Sequence, residues 1–254
     1  MELRKVPLQA LSLFFPCHNE AENLEALVAD ALAALPALAM TYEVILVDDG
    51  SRDDTASVAE RLVEQHGGVV RLVRHDVSRG YGGALRSGFA AARYEHLAYT
   101  DGDRQFRVAD LARLVEEAEA TGAPVVIGYR LRRADPALRF IYATLYRVAN
   151  RMWFGLQVRD VDCAAKLFHR DALRDIRVHS DGAFFSAELL IRLRLARVAI
   201  REVGVPHYPR TAGSPTGARL SVITRAIRDF WSLRLRLWVN RSRALSRGRT
   251  LLGD

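Results

Sequence analysis

YEVILVDDGS, residues 42–51, is the stretch of sequence that decides the fold class. Its first six residues form an apolar run of the kind that fills a buried β-strand. The run ends abruptly at Asp48 and Asp49, and Asp54 or Thr55 is placed to cap a helix that continues to about residue 66. A buried strand followed closely by a helix is the unit from which parallel sheets are built.

The same alternation extends to both sides of this stretch. Strands are predicted at residues 10–15, 69–73, 96–100 and 124–127, and helices at residues 20–35, 83–92 and 108–120. This order predicts an α/β fold with a mostly parallel central sheet flanked by helices. Further helices are predicted at residues 140–154, 183–196 and 221–243, with a loop at residues 204–217.

Composition narrows the class of protein. Half of the 254 residues are apolar and 26% are charged, which is typical of a globular chain long enough to bury a core. No run approaches the roughly 18 apolar residues that a membrane-spanning helix requires. The N-terminus predicts no signal peptide, and Cys17 and Cys163 are too few for a disulfide scaffold, so we expect a cytoplasmic protein.

The positive charge is concentrated at the C-terminus. The net charge is +7, and residues 219–254 hold nine arginines against Asp229 and Asp254, so the rest of the chain is balanced. Apolar residues alternate with these arginines at helical spacing, which predicts a helix on an anionic membrane surface. The alternative is a helix that docks on the core with a solvated arginine face. Trp231 and Trp238 are spaced like core residues and not like base-stacking platforms, so no nucleic acid is expected.

Three predicted strands end in polar clusters, at residues 16–20, 48–51 and 101–105. Ligands of open α/β sheets bind beyond the carboxyl ends of the strands. Neighbouring carboxylates repel one another, so a bound divalent cation is the simplest explanation for several of them lying together. Asp103, together with Gln105, offers oxygen ligands suited to Mg²⁺ or Mn²⁺, which would in turn hold a diphosphate.

Glycine-rich phosphate loops are excluded. The sequence contains no P-loop, and Leu85 stands where the dinucleotide motif beginning at Gly80 would need glycine. The phosphates are therefore expected to be held by the metal and by arginines. Arg130, which follows a predicted strand, and Arg210, in the late loop, are placed for this role.

Taken together, these motifs resemble the family 2 glycosyltransferases, in the branch of the dolichyl-phosphate mannose and polyprenyl-phosphate glucose synthases. The motifs are PCHNE at 16–20, EVILVDDGS at 43–51, RGYGGALRSG at 79–88 and DGDRQ at 101–105. RDVDCAAKLF at 159–168, the helix containing Glu188 and VPHYPRTAGS at 205–214 extend the resemblance, which covers residues 10–220.

The resemblance implies a GT-A type, Rossmann-like domain at residues 1–218, followed by the basic amphipathic segment at residues 219–254. It implies an inverting, metal-dependent hexose transfer from a nucleotide-diphosphate sugar to a polyprenyl or dolichyl phosphate. The implied donor-binding residues are Pro16, His18, Glu20, Val47, Asp49, Asp101, Gly102, Asp103, Arg130 and Arg210. Gln105 would be a further metal ligand. Thr216 stands where mannosyl synthases tend to have lysine, which leaves a UDP-sugar open as donor beside GDP-mannose.

On the acceptor side the resemblance points to Asp160, and Lys166 is a candidate ligand of an acceptor phosphate. Asp103 and Arg130 would stabilise the departing diphosphate. A lipid phosphate acceptor is already anionic, whereas a hydroxyl acceptor would need a carboxylate base, for which Asp160 and Glu188 are the candidates. The alternatives are therefore an enzyme with a soluble or saccharide acceptor, or a non-catalytic nucleotide-sugar binder. The enzyme is expected to lie peripherally on the cytoplasmic membrane face, with a separate membrane-protein partner as an option.

Overall fold

A computed structural model describes residues 7–131, 137–210 and 220–247, in which strands and helices alternate from the start. The strands are β1 (Leu8–Cys17), β2 (Ala39–Asp48), β3 (Val70–Arg74), β4 (His96–Tyr99), β5 (Val125–Arg130), β6 (Lys166–His169) and β7 (Ile200–Val205). The helices are α1 (Ala21–Leu38), α2 (Thr55–Gln65), α3 (Tyr81–Ala91), α4 (Ala112–Thr121), α5 (Ala137–Phe154), α6 (Phe185–Leu195) and α7 (Leu220–Arg247).

The strands form one seven-stranded sheet in the order β3-β2-β1-β4-β6-β5-β7. All neighbouring pairs are parallel except those made by β6, which runs antiparallel to both β4 and β5. The prediction of an α/β fold with a mostly parallel sheet is thus confirmed. Because β6 reverses direction between them, β4 and β5 run the same way, and their carboxyl ends lie on one edge with those of β1 and β2.

Several details differ from the sequence predictions. The strands β6 and β7 were not predicted, since β6 is only four residues long and β7 alternates weakly between buried and exposed positions. Pro36 lies inside the last turns of α1 and does not end it. Asp54 occupies the N-cap position of α2 as predicted, but its side chain makes no capping hydrogen bond. Asp53 instead accepts hydrogen bonds from both the amide and the hydroxyl of Thr55.

Aromatic rings fill the core beside the central strands. Phe14 of β1 lies 5.0 Å from Phe89 of α3 and 5.3 Å from Tyr99 of β4, measured between ring centroids. Gly88 allows this packing, because a Cβ atom there would lie 2.2 Å from a ring carbon of Phe14. The rings attach α3 to the sheet directly beneath the edge that carries the polar clusters.

The C-terminal helix α7 packs on the domain through one face only. Phe230 is buried against Phe154 and Phe184, and Leu233 is 1% exposed. Trp231 and Trp238, which the sequence pattern placed in the core, are instead 50% and 59% exposed, so that expectation was wrong. In the part of the chain that the structure describes, no helix is long and apolar enough to cross a bilayer.

Candidate active site

The carboxyl ends of β1 and β2 lie side by side and hold the first two polar clusters together. The Asp49 amide donates to the Cys17 carbonyl at 2.9 Å, and His18 Nδ1 donates to the Asp49 carbonyl at 2.9 Å. Asn19 adopts a left-handed backbone with φ of 57° and donates its amide to Ser51 Oγ. Pro16 lies opposite Val47 in the strand pairing, so five of the predicted donor contacts lie along this one edge: Pro16, His18, Glu20, Val47 and Asp49.

The Asp49 carboxylate organises the loop after β3. It accepts hydrogen bonds from His75 Nδ1, the Ser78 hydroxyl and the amides of Arg79 and Gly80, all between 2.7 and 2.9 Å. Burial alone would raise the pKa of Asp49, but the hydrogen bond from His75 and those from the loop together hold it below its usual value. The predicted contact of Asp49 with the nucleotide therefore involves a group that already has four protein partners.

Gly80 shows why this loop needs glycine. Its φ is +83°, and a Cβ atom there would lie 2.6 Å from the Asp181 carbonyl oxygen. The sequence analysis placed Gly80 in the motif at residues 79–88 and assigned no site role to His75. The signal it lacked is the approach of this loop to Asp49, which is distant in sequence.

The third polar cluster, after β4, concentrates negative charge. Burial, and next the charge of Asp103, raise the pKa of Asp101 to about 7. Tyr81 at the start of α3 donates its hydroxyl to Asp101 Oδ1 at 2.9 Å, a contact that the sequence analysis missed. Gly102 lies so close to the end of β1 that a Cβ atom would be 3.1 Å from Cys17 Sγ. The cluster is thus held against β1 at the same edge of the sheet.

Arg210 connects this cluster to Glu20. Its Nη2 lies 2.6 Å from Asp103 Oδ2, and its Nη1 lies 3.6 Å from Glu20 Oε1. The segment before it is held by Tyr208, whose amide donates to the Gln105 carbonyl while Gln105 Nε2 donates to the Tyr208 carbonyl. The structure therefore brings Glu20, Asp103, Gln105 and Arg210 together, although Arg210 is 107 residues from Asp103 in sequence.

The donor set at Asp103 fits a divalent cation that takes its other ligands from a bound phosphate. Within residues 7–131, 137–210 and 220–247, no three His, Cys, Asp or Glu side chains converge as a metal site would require on its own. Mg²⁺ needs only one or two protein carboxylates when substrate phosphates complete its coordination. The pKa of Asp101 is raised, and Arg210 forms an ion pair with Asp103. Both observations indicate that the space beside these carboxylates favours a positive charge.

The second group of predicted residues lies at the end of β5, whose last residue is Arg130. Asp160 binds the Arg130 guanidinium through both oxygens, with Nε at 2.7 Å and Nη2 at 2.9 Å. Burial opposes the charge of Arg130, but the hydrogen bond to Asp160 holds its pKa above the ordinary value. This partly buried, bidentate pair fixes the orientation of the guanidinium at the edge of the sheet.

Lys166 and Glu188 lie beneath the surface. Lys166 is fully buried, and its ammonium donates to the carbonyl oxygens of Val161 and Cys163, which holds the turn that carries Asp160. Glu188 is 2% exposed and accepts hydrogen bonds from Arg192 and from the Ser180 amide. Both side chains are thus buried and paired with protein groups, although Lys166 lies opposite Tyr99 at the end of β4, close enough for its charge to act on Asp101. Thr216 lies outside the described residues.

Comparison with known proteins gives a consistent result. The model of the family described as "Glycosyl transferase family 2" matches residues 12–177. An undecaprenyl-phosphate 4-deoxy-4-formamido-L-arabinose transferase of Pseudomonas fluorescens is 33% identical over 66% of this chain and 49% of its own. The human dolichyl-phosphate beta-glucosyltransferase is 31% identical over 78% of this chain and 67% of its own. The chain thus spans about half the length of the first of these relatives and two thirds of the second.

Solved structures agree on the fold. Glucosyl-3-phosphoglycerate synthase from Mycobacterium tuberculosis, in complex with phosphoglyceric acid, superposes with a TM-score of 0.71. The identity is 21%, over 88% of this chain and 79% of the other. The same synthase has been solved with Mn²⁺ and uridine diphosphate, with a TM-score of 0.69. At this identity the structural similarity supports only the GT-A fold, which is the fold that the sequence motifs implied.

Proposed function

The chain belongs to glycosyltransferase family 2, and on that premise we propose that it transfers a hexose with inversion from a nucleotide-diphosphate sugar to a polyprenyl or dolichyl phosphate. Two relatives are named for transfer to undecaprenyl phosphate and dolichyl phosphate, which supports this acceptor class. For the donor we favour a UDP-sugar over GDP-mannose, because Thr216 replaces the lysine typical of mannosyl synthases.

The observation that carries the choice of acceptor is the ion pair between Arg130 and Asp160. A hydroxyl acceptor needs a base whose carboxylate is free to take a proton. Both oxygens of Asp160 are held by Arg130, and Glu188 is buried against Arg192. An acceptor phosphate is anionic near neutral pH and needs no such base. It is therefore compatible with a site in which both candidate carboxylates are paired with arginines.

In the proposed reaction the phosphate oxygen of the acceptor attacks the anomeric carbon as the bond to the nucleoside diphosphate breaks. The nucleoside would lie along residues 16–20 and 47–49, and Arg130 and Arg210 would stabilise the charge that develops on the diphosphate. Mg²⁺ or Mn²⁺ held by Asp103 and Gln105 would neutralise the rest of that charge. To stabilise the diphosphate, Arg210 would leave its ion pair with Asp103 and bind the donor phosphates instead.

In this proposal Asp160 and Lys166 are positioning residues on the acceptor side of the site. Asp160 holds Arg130 beside the transferred group, and Lys166 supports the turn that carries Asp160 through the carbonyls of Val161 and Cys163. A direct contact of Lys166 with the acceptor phosphate, as the sequence suggested, would require this buried ammonium to leave both carbonyls.

We further propose that the enzyme lies on an anionic membrane surface, where its acceptor resides. Large apolar side chains remain exposed on two helices that meet through Trp153 and Trp231, whose ring centroids are 5.1 Å apart. They are Leu145, Val148, Met152 and Trp153 on α5, and Ile227, Trp231, Leu235 and Trp238 on α7. Arginines border this apolar face, among them Arg234 over the Trp153 ring, and such a face fits the headgroup layer of a bilayer.

A donor and acceptor screen tests the function. We expect transfer from a UDP-sugar to undecaprenyl or dolichyl phosphate that requires Mg²⁺ or Mn²⁺ and stops with EDTA. Asp103→Asn should lower the rate by about 100-fold or more, because it weakens both metal binding and stabilisation of the leaving group. It should also abolish metal-dependent donor binding, measured by calorimetry, and leave the circular dichroism spectrum unchanged.

The exposed Asp171, after β6, provides a matched control, and Asp171→Asn should behave like the parent protein. Unchanged turnover of Asp103→Asn with Mg²⁺ present would contradict the metal site. Transfer to phosphoglyceric acid or a saccharide, with none to a lipid phosphate, would instead assign the soluble-acceptor alternative.

A further inference from the structure

A cavity lies beside the turn that carries Asp103, with Arg104 in its wall. It has a volume of about 300 Å³ and is enclosed by α1, by residues 104–108 and by residues 208–210. Leu27, Phe106 and Val108 form its apolar floor. Of the residues predicted to bind the donor, this cavity contains only Arg210. Its size is at the lower end of small-molecule pockets, and it is ten times larger than the cavity of about 30 Å³ beside Asp160.

The walls of the cavity carry an excess of positive charge. Arg104, Arg107 and Arg210 line it together with a single carboxylate, Asp30. Asp30 is paired with Arg104 at 2.8 Å, and Arg210 is engaged by Asp103 outside the cavity. Among the ion pairs of the described residues, none balances Arg107. The cavity therefore favours an anionic ligand.

Arg104 has an unsatisfied hydrogen-bond donor at this site. Its Nη2 binds Asp30, but its Nε is buried and has no hydrogen-bond acceptor among the described residues. A buried N–H without a partner costs free energy. Arg104 also adopts a left-handed backbone with φ of 59°, which is uncommon for a residue other than glycine. Arg104 thus lines the cavity with hydrogen-bonding capacity that the described protein groups do not satisfy.

Arg107 is held in place by an aromatic ring. Its guanidinium lies 4.1 Å from the ring centroid of Tyr208, which leaves its N–H edge available to a second group. The backbone of Tyr208 is in turn fixed to Gln105 by two hydrogen bonds. The cation is thus positioned before any ligand arrives, which lowers the entropic cost of binding.

We propose that this cavity binds a soluble phosphate monoester with a small apolar group. The apolar group would lie on Leu27, Phe106 and Val108, and the phosphate would accept hydrogen bonds from the guanidinium groups of Arg104 and Arg107. Guanidinium groups suit phosphate oxygens because several donors lie in one plane. The cavity shares Arg210 with the proposed donor site, but binding through Arg104 and Arg107 does not require the transfer reaction.

Calorimetry with phenyl phosphate tests the proposal on the full chain, with UDP and Mn²⁺ in excess to occupy the donor site. We expect saturable binding that Arg104→Gln and Arg107→Gln each weaken by about tenfold, the effect of one charge-assisted hydrogen bond. Arg61→Gln is the matched control, since Arg61 is exposed and pairs with Glu25, and neither residue lines this cavity; it should change the affinity less than about twofold. Inorganic phosphate and phenol should each bind more weakly than phenyl phosphate.

Arg107 is exposed, so Arg107→Gln should fold even if the change at Arg104 disturbs the turn; circular dichroism checks both variants. The proposal is overturned if phenyl phosphate shows no saturable binding up to about 10 mM, or if Arg107→Gln binds it like the parent. Equal binding of inorganic phosphate would overturn the role of the apolar floor. Because no readout is a transfer rate, failure here would leave the proposed transferase function untouched.

Discussion

At the scale of single residues, buried polar groups decide how the site is built. Asp49 is 4% exposed and accepts four hydrogen bonds, one of them from His75, which in turn bonds Ser87 of α3. One carboxylate thus joins β2, the loop after β3 and α3. The carboxylate of its neighbour Asp48 accepts only the Ser51 amide among the described hydrogen bonds. Two adjacent aspartates therefore have different tasks, which the sequence cannot distinguish.

Asp49→Asn should destabilise the fold in a pH-dependent way. The folded pKa of Asp49 is lowered, so its carboxylate contributes stability above the unfolded pKa of about 3.9, and this contribution is lost as the pH falls through the folded value. We expect a loss of about 1.5–3 kcal/mol in the free energy of unfolding at pH 7. The difference from the parent should shrink below about pH 4.

Urea unfolding at several pH values measures this. Asp76→Asn, in the same loop at an exposed position, is the control and should leave the free energy of unfolding within about 0.5 kcal/mol of the parent. A destabilisation of Asp49→Asn that stayed constant from pH 7 to pH 3 would show that the ionised carboxylate is not the stabilising form.

At the scale of elements, α7 has two apolar faces with different surroundings. Phe230 and Leu233 face the domain, where Phe230 meets Phe154 with ring centroids 4.9 Å apart. Trp231 and Leu235 face outward beside Trp153 of α5. The inner face docks on the core, as one of the two sequence interpretations had it, and contact of the outer face with lipid stays a proposal.

Substituting one leucine on each face of α7 tests the roles of the two faces separately. Leu233 is 1% exposed and Leu235 is 60% exposed. Leu233→Ala should lower the free energy of unfolding by about 2–5 kcal/mol, because it leaves a cavity. Leu235→Ala should change it by less than about 0.5 kcal/mol and should weaken binding to anionic vesicles, measured by co-sedimentation. If Leu235→Ala bound vesicles like the parent, the outward face of α7 would not contact lipid.

At the scale of the whole molecule, the candidate site and the exposed helical face belong to different parts of the fold. The predicted donor contacts come from the strand ends and from Arg210, whereas the positive charge of the chain lies in residues 219–254. Donor binding and membrane binding should therefore be separable by mutation. α7 is nevertheless connected to the domain, since Ser180 donates to Asp229 at 2.8 Å.

Replacing Arg225, Arg228, Arg234 and Arg236 together by Gln should weaken binding to anionic vesicles. Each basic residue near such a surface is worth about 1 kcal/mol, and the attraction should fall with salt. Transfer to a long-chain lipid phosphate should fall more than transfer to a short water-soluble analogue, while the donor affinity stays unchanged. Absence of vesicle binding by the parent at low salt would favour the soluble-acceptor alternative. Deletion of residues 219–254 is a weaker test, because it also removes Phe230 and Leu233 from the core.

The sequence by itself determined the α/β fold, the family and the strand ends where polar residues gather. These depend on local periodicity and on motifs of adjacent residues, which the chain displays directly. Tertiary structure decided which polar groups meet: Arg210 with Asp103, Asp160 with Arg130, and the loop after β3 with Asp49. It also placed Lys166 in the interior and Trp231 at the surface. Such pairings join residues that are distant in sequence, and the depth of a side chain depends on what the rest of the fold packs against it, so neither follows from a local pattern.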